Sequence, residues 1–285
     1  MSFKSIIKNL LRETRNTFNL FVWIIKQTLF ENFKSYIKYQ DLNTDTLIIL
    51  ANGPSLKNNL ANNAIDFDNA AVCVVNDFAR FPIFRQIKPQ YYVLADPFYF
   101  TDLSNQRNIE IHTVFESIDW KMNLYIPFQS RKLLKGKINN PNITVIPFHS
   151  QPFYGCKTLE NKLYSANLSM PRAQNVLIPA IYIGINNGFK KIMLYGVDHS
   201  WTEEIRVNSK NEVCFLYAHF FDDKKPDLKP WHKGTGLPVY KMHEILRDLA
   251  WMFDGYHRLQ SYAELKGCRI INKTKDSFID AFERE

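Results

Sequence analysis

Leu47-Ile48-Ile49-Leu50-Ala51-Asn52-Gly53-Pro54-Ser55-Leu56 is the stretch whose reading decides the fold. Leu47–Leu50 has the length and composition of a buried strand. The residues after it cannot continue one, since Gly53 permits positive φ while Pro54 fixes φ and lacks an N–H. Ser55 is placed to cap a helix beyond the turn, whose first free N–H groups and positive dipole end would face the space outside the strand's carboxyl end. The turn therefore predicts an anion site, a phosphate in the first instance. An ordinary strand–turn–helix without ligand is the alternative that the turn alone leaves open.

Working outward, Ala70–Val75 and Tyr91–Ala95 are two more short apolar runs, and each ends in polar side chains: Asn76-Asp77 and Asp96-Pro97. Leu124–Ile126 and Ile143–Ile146 follow. Val176–Asn186 reads as a buried helix before a strong strand, Lys191–Tyr195, that ends in Gly196-Val197-Asp198-His199. Strands alternating with helices predict an α/β fold, a single Rossmann-like domain with a mostly parallel sheet and right-handed crossovers. Ligands of such sheets bind outside the carboxyl ends of the strands, and Asn52, Asn76, Asp96 and Asp198 stand at four of those ends. Four polar strand ends in series point to a shared cleft.

Between about residues 200 and 238 the regular apolar period is lost. Lys224, Lys225, Pro226, Lys229, Pro230, Trp231, His232, Lys233, Gly234 and Gly236 give a basic loop whose aromatic residues argue for an ordered lid or acceptor-binding insertion. Val239–Leu259 resumes helical spacing through Met242, Ile245, Leu246, Leu249, Met252 and Phe253. A strand at Arg269–Ile271 and a short helix around Phe278–Phe282 close the chain.

The chain has 285 residues, of which 46% are hydrophobic, enough to fold without staples. Cys73, Cys156, Cys214 and Cys268 show no C-x-x-C pair and no zinc spacing, so neither a disulfide framework nor a metal site is indicated, and no cofactor is expected. A formal net charge of +8 favours anionic partners. The basic residues are dispersed and no nucleic-acid motif is readable, which argues against nucleic acid. Residues 1–45 stand apart from the domain at 46–285. Met1–Gln40 interleaves apolar residues with Lys4, Lys8, Arg12, Arg15, Lys26, Lys34 and Lys38, without Gly or Pro. Its longest uninterrupted apolar stretch, Leu20–Ile25, is too short to span a bilayer, and there is no signal-peptide cleavage site. The composition predicts an amphipathic helix that lies on a membrane surface, with packing on the domain or on another subunit of a homo-oligomer as the alternative.

Three stretches together carry a family likeness: Leu-Ala-Asn-Gly-Pro-Ser-Leu-Lys at 50–57, Val-Asn-Asp-Phe at 75–78, and Asn-Gly-Phe-Lys-Lys-Ile-Met-Leu-Tyr-Gly-Val-Asp at 187–198. The chain resembles the bacterial sialyltransferases of glycosyltransferase family 42 and the related Maf-type and MptE-like proteins, over roughly Thr46–Asp198, with a looser match from Trp231 to Ile271. The resemblance implies a Rossmann-like domain with a lid, a CMP-activated nonulosonic acid as donor, and no metal. It assigns Asn52, Gly53 and Ser55 to the donor phosphate and ribose and Asn76 to the cytidine nucleotide. Asp96 stands where the family has an Asn near the donor, and Gln174-Asn175 where it has a Thr-Ser pair before a helix; with Asp198 these complete the expected nucleotide site. The family's general base is a lid His, and His232 holds the matching place.

Inverting transfer needs a base for the acceptor hydroxyl, and an imidazole titrating near neutrality suits it. His232 leads, followed by His199 at a strand end and His219 in the lid. Lys57, Arg172 and Lys233 are candidate anion contacts. Asp222-Asp223 is the adjacent acidic pair of the lid and lacks strand context. The leading expectation is a metal-independent glycosyltransferase at the inner face of the bacterial cytoplasmic membrane. It would move an acidic sugar (sialic acid, a related nonulosonate or Kdo) from a CMP donor to a surface glycan or glycolipid. The alternatives are an MptE-like ATP-dependent pyrophosphokinase, served by Asp96 and Asp198, and a non-catalytic nucleotide-binding scaffold of envelope assembly.

Overall fold

A computed structural model describes residues 3–37, 44–134, 136–216, 228–234 and 237–285. An N-terminal helix, α1 (Phe3–Phe30), precedes an eight-stranded sheet. The sheet strands are β1 (Thr46–Leu50), β2 (Ala70–Val75), β3 (Tyr91–Val93), β4 (Met122–Pro127), β5 (Ile143–Phe148), β6 (Lys191–Tyr195), β10 (Arg269–Asn272) and β11 (Glu283–Arg284). Their spatial order is β11-β10-β6-β1-β2-β3-β4-β5, and every neighbouring pair is parallel. The expected α/β, Rossmann-like architecture is the one observed. From β1 the chain steps outward to β5, then returns to lay β6 on the other side of β1. That reversal is the topological switch point at which such sheets open a crevice.

The sheet is covered on both faces, so its strands read as continuous apolar runs. Along β1, Leu47 and Ile49 join one buried cluster and Ile48 and Leu50 the other, as the two-residue period of a strand requires. The first cluster holds α4 (Leu177–Asn187) and α5 (Met242–Leu265); the second receives α2 (Ser55–Ala61), through Leu56, and α3 (Gln106–Glu116), through Ile111 and Phe115. Helix α4 is buried almost all round and stops at Gly188, whose φ of 100° makes it the left-handed cap.

Three local expectations change. Residues 200–238 form more than a loop: β7 (Ile205–Val207), β8 (Val213–Leu216) and β9 (Leu228–Pro230) make a small antiparallel sheet, in strands too short for the sequence period to register. The segment Phe278–Phe282 is not helical. Its backbone is engaged elsewhere, with the Phe278 N–H donating to the Asp198 carbonyl and Ser277 Oγ to the Val197 carbonyl, and it runs into β11. Gly53 does not use positive φ, whereas Gly196 does, at 68°.

Candidate active site

The carboxyl ends of β1, β2, β3 and β6 surround a cleft of about 530 Å³. Asn52 and Gly53 enter it from β1, Asn76 from β2, Asp96 from β3, and Asp198 and His199 from β6. Gln174 and Asn175, just before α4, close the opposite wall. Residues far apart in sequence are gathered here because parallel strands bring all their carboxyl ends to one edge.

At the turn where the sequence predicts an anion, the chain places a carboxylate of its own. The β1–β6 ladder runs on past both strands, with the Ala51 N–H donating to the Tyr195 carbonyl and the Gly53 N–H to the Gly196 carbonyl, each at 2.9 Å. This carries Asp198 onto the start of α2. Asp198 Oδ1 accepts the Ser55 N–H at 3.1 Å and Oδ2 accepts the Ser55 hydroxyl at 2.8 Å. Ser55 is therefore not the cap: it lies in the first turn, and the chain supplies its own carboxylate to the helix amino end. The glycine is required for space, since a Cβ on residue 53 would stand 2.0 Å from Asp198 Oδ2 and 2.5 Å from the Gly196 carbonyl. Burial pushes the Asp198 carboxyl above the usual range, against the two Ser55 bonds that pull it down.

Beside this turn two amides are incompletely satisfied. Asn52 Nδ2 donates to the Val75 carbonyl at 3.2 Å, which turns Oδ1 away from that bond, and this buried oxygen has no partner. Asn76 Oδ1 is likewise buried and unpartnered, on a residue held at φ 50°. A buried acceptor without a donor is costly, and two of them lining one cleft call for a ligand rich in O–H or N–H groups. Asp77, by contrast, is spoken for: Arg107 grips it through Nε and Nη2 and the Tyr99 hydroxyl donates to it at 3.1 Å. This pair fixes the floor of the cleft. Asp77 stands inside one of the motifs quoted above, whereas Arg107, thirty residues on in α3, gave no signal in the sequence.

Asn175 caps α4, its Oδ1 accepting the N–H groups of Leu177 and Ile178. Its Nδ2 donates to the Tyr256 hydroxyl at 2.6 Å, and that hydroxyl lies 2.6 Å from His199 Nε2. Burial pushes the imidazole down to about 3, against the pull of the Val197 backbone. His199, at φ 56°, is thus a neutral ring engaged through Nε2, a brace between β6, α4 and α5. It lines the cleft but is poorly placed to take a proton. His232 is exposed and outside the cleft lining: its Nδ1 bonds the Leu237 carbonyl at 2.8 Å in a bridge between residues 232 and 239. A general base must reach the reacting proton, and His232 does not face the space where one would be. His219 and Asp222-Asp223 lie outside the described residues.

The expected lid region contributes an aromatic wall to the cleft: Trp201 from the short helix Trp201–Glu204, Phe215 from β8 and Trp231 just past β9, with the Phe215 and Trp231 rings 4.5 Å apart. Glu204 lines it too, and its carboxyl is pushed up by burial, with the negative charge of Asp198 adding to the rise. Among the described residues, no three His, Cys, Asp or Glu side chains converge as a metal cage.

No curated protein matches the chain. The family model described as 6-hydroxymethylpterin diphosphokinase MptE-like matches residues 15–204, well over half of the sequence. The match supports the MptE-like part of the resemblance and carries nothing on family 42 sialyltransferases. It spans β1 to β6 and every strand end that builds the cleft, and on that ground the chain belongs to the MptE-like family.

Proposed function

We propose that the chain is a nucleotide-dependent transferase of the diphosphokinase kind, taking ATP as its divalent-cation complex and passing a diphosphoryl group to the hydroxyl of a ring-bearing acceptor. The observation that carries this reading is the Asp198 carboxylate at the amino end of α2. A bare phosphate has no place beside it, and Asp96, Asp198 and Glu204 give the cleft an acidic wall while its arginine is taken by Asp77. Polyphosphates enter such a wall only with a cation between. A magnesium ion arriving on its nucleotide needs one or two protein carboxylates, not a finished cage, and Asp198 with Asp96 or Glu204 fits that donor set. The ion would neutralise charge on the phosphates.

Asn52 and Asn76 then accept from the ribose hydroxyls or the base amino group, while Trp201 and Trp231 offer stacking surface to the acceptor ring. The acceptor oxygen bonds to the β-phosphorus as its bond to the bridging oxygen breaks and AMP departs. Glu204, raised and half-buried, is the carboxylate suited to receive the acceptor's proton. A second reading keeps the CMP-activated acidic sugar as donor. It is favoured by the amino end of α4, which borders the cleft and is capped by the neutral amide of Asn175 rather than by a carboxylate, so that a single phosphate meets no opposing charge there.

Calorimetry with ATP and with CMP, each in magnesium and in EDTA, separates the readings. ATP binding that requires magnesium, with AMP released on turnover, is the expected result. CMP binding in EDTA without any ATP response transfers the conclusion to the sugar donor.

A further inference from the structure

Helix α1 is amphipathic the wrong way round for a helix that merely packs on its domain. The side turned inward is largely polar. Gln27 is fully buried, Asn19 Nδ2 donates to the Tyr154 carbonyl at 2.7 Å, and Glu31, just past the helix, binds His149 and Gln129. The apolar residues on this side are Trp23, edge-on to Phe153, and the half-buried Leu20. The side turned outward carries Phe18, Phe21, Ile25 and Leu29, exposed by 65, 61, 41 and 69%. At 3.6 residues per turn these four fall within a stripe about 80° wide, opposite Trp23 and Gln27. In the sequence the same spacing continues upstream through Ile7, Leu10 and Leu11. Burial of the polar side against the domain leaves this stripe without a protein partner to explain it.

We infer that α1 is a membrane-surface helix that lays the chain on an anionic bilayer. Charge selects the occupant. Residues 1–37 carry Lys4, Lys8, Arg12, Arg15, Lys26 and Lys34 against Glu13 and Glu31, and Glu31 is consumed inside the protein by its bond to His149. Two copies meeting through this face would bring basic flanks together, whereas an anionic lipid surface neutralises them while the apolar stripe enters the acyl boundary. No described helix is long and apolar enough to cross a membrane, so α1 lies in the interface. Its seat is built from Gln129, His149 and Tyr154, which follow β4 and β5; the helix thus sits at the carboxyl edge of the sheet that also carries the cleft. The inference is independent of what the cleft transfers.

The test is sedimentation of the full chain with phosphatidylcholine vesicles, with and without phosphatidylglycerol. Pelleting is expected with phosphatidylglycerol. Replacing all four stripe residues, Phe18→Gln, Phe21→Gln, Ile25→Gln and Leu29→Gln, should weaken it by more than about tenfold, with an unchanged melting temperature because these side chains hold nothing in the fold. The single change Lys26→Glu should weaken it by about fivefold. Failure of the unaltered chain to pellet overturns the inference, as does equal pelleting of the four-residue variant. Light scattering supplies the other overturning result: a dimer that those four changes convert to monomer assigns the face to a second copy.

Discussion

Two carboxylates, the partly buried Asp198 in the cleft and the buried Glu31 just past α1, sit in similar chemistry and do different things. Both accept a backbone N–H, that of Ser55 for one and of Ser150 for the other, and both have every oxygen bonded. Glu31 and His149 close on each other at 2.5 Å, the ring stacked on Phe128 and its Nε2 bonded to the Lys34 carbonyl, so that no atom of the pair faces open space. Asp198 borders a cavity of about 530 Å³ and stands among two amide oxygens that have no donors. A buried carboxylate is therefore no sign of function by itself. Space beside it and unmet hydrogen bonds around it distinguish a site from a clasp.

The largest effect should come from breaking the clasp. Glu31→Ala leaves the buried His149 without its acceptor, and is expected to cost about 3–5 kcal/mol of stability. Urea unfolding measures it, and nucleotide affinity of the folded fraction should not move. A cost below about 1 kcal/mol would make the pair an ornament of the surface rather than the fastening of α1. In the cleft the comparable steric change is Gly53→Ala, whose Cβ would overlap the Asp198 carboxylate and the Gly196 carbonyl. An overpacking cost of about 1–3 kcal/mol is expected, and here nucleotide binding should fall as well because Asp198 must move.

The contrast also explains what could be read in advance. The parallel sheet was legible because burial on both faces turns each strand into an unbroken apolar run, and polar strand ends then follow from topology alone. Asn52, Asn76, Asp96 and Asp198 could be placed at one edge before any coordinates. What the strand ends could not tell was how they pair. That Asp198 reaches across to Ser55 depends on the β1–β6 ladder continuing for two hydrogen bonds past β1, a register that no local pattern states. The Asp77–Arg107 pair is hidden for the same reason, joining two separate elements. His232 could be placed in its loop but not oriented from the sequence, because position in a loop does not fix which way a ring points; its Nδ1 bonds the Leu237 carbonyl and it is not among the cleft-lining residues. The inverted face of α1 was half legible: composition showed amphipathicity, but only packing shows which side is buried.

A smaller effect sharpens the functional half of the comparison. Asn52→Ala removes an acceptor that has no partner in the free protein, so stability should change by less than about 1 kcal/mol, the worth of its one bond to Val75. Binding is another matter, because a ligand that donates to Oδ1 loses that bond: about 1–3 kcal/mol is expected by calorimetry with magnesium and ATP. Unchanged affinity would count against the amide pair as the nucleoside seat.

The smallest and most discriminating change is Asp198→Asn. Burial raises the Asp198 carboxyl above its ordinary value, so the folded chain binds that proton more tightly than the unfolded chain does. Its contribution to stability is then complete below the ordinary carboxylate range and is lost as pH rises through the folded value. At neutral pH the ionised group is a burden on the fold. The amide carries no charge, its Oδ1 can still accept the Ser55 N–H, and the Ser55 hydroxyl can turn to accept from Nδ2. Asp198→Asn should therefore be more stable than the native chain at pH 7, by less than about 1 kcal/mol because the side chain is partly solvated. The advantage should shrink as pH falls into the carboxylate range, while turnover is lost. Melting curves at pH 7 and pH 4 measure both signs. A variant less stable at pH 7 would show that Asp198 fastens the turn as Glu31 fastens α1, and the distinction between site and clasp would then rest on the two orphaned amides alone.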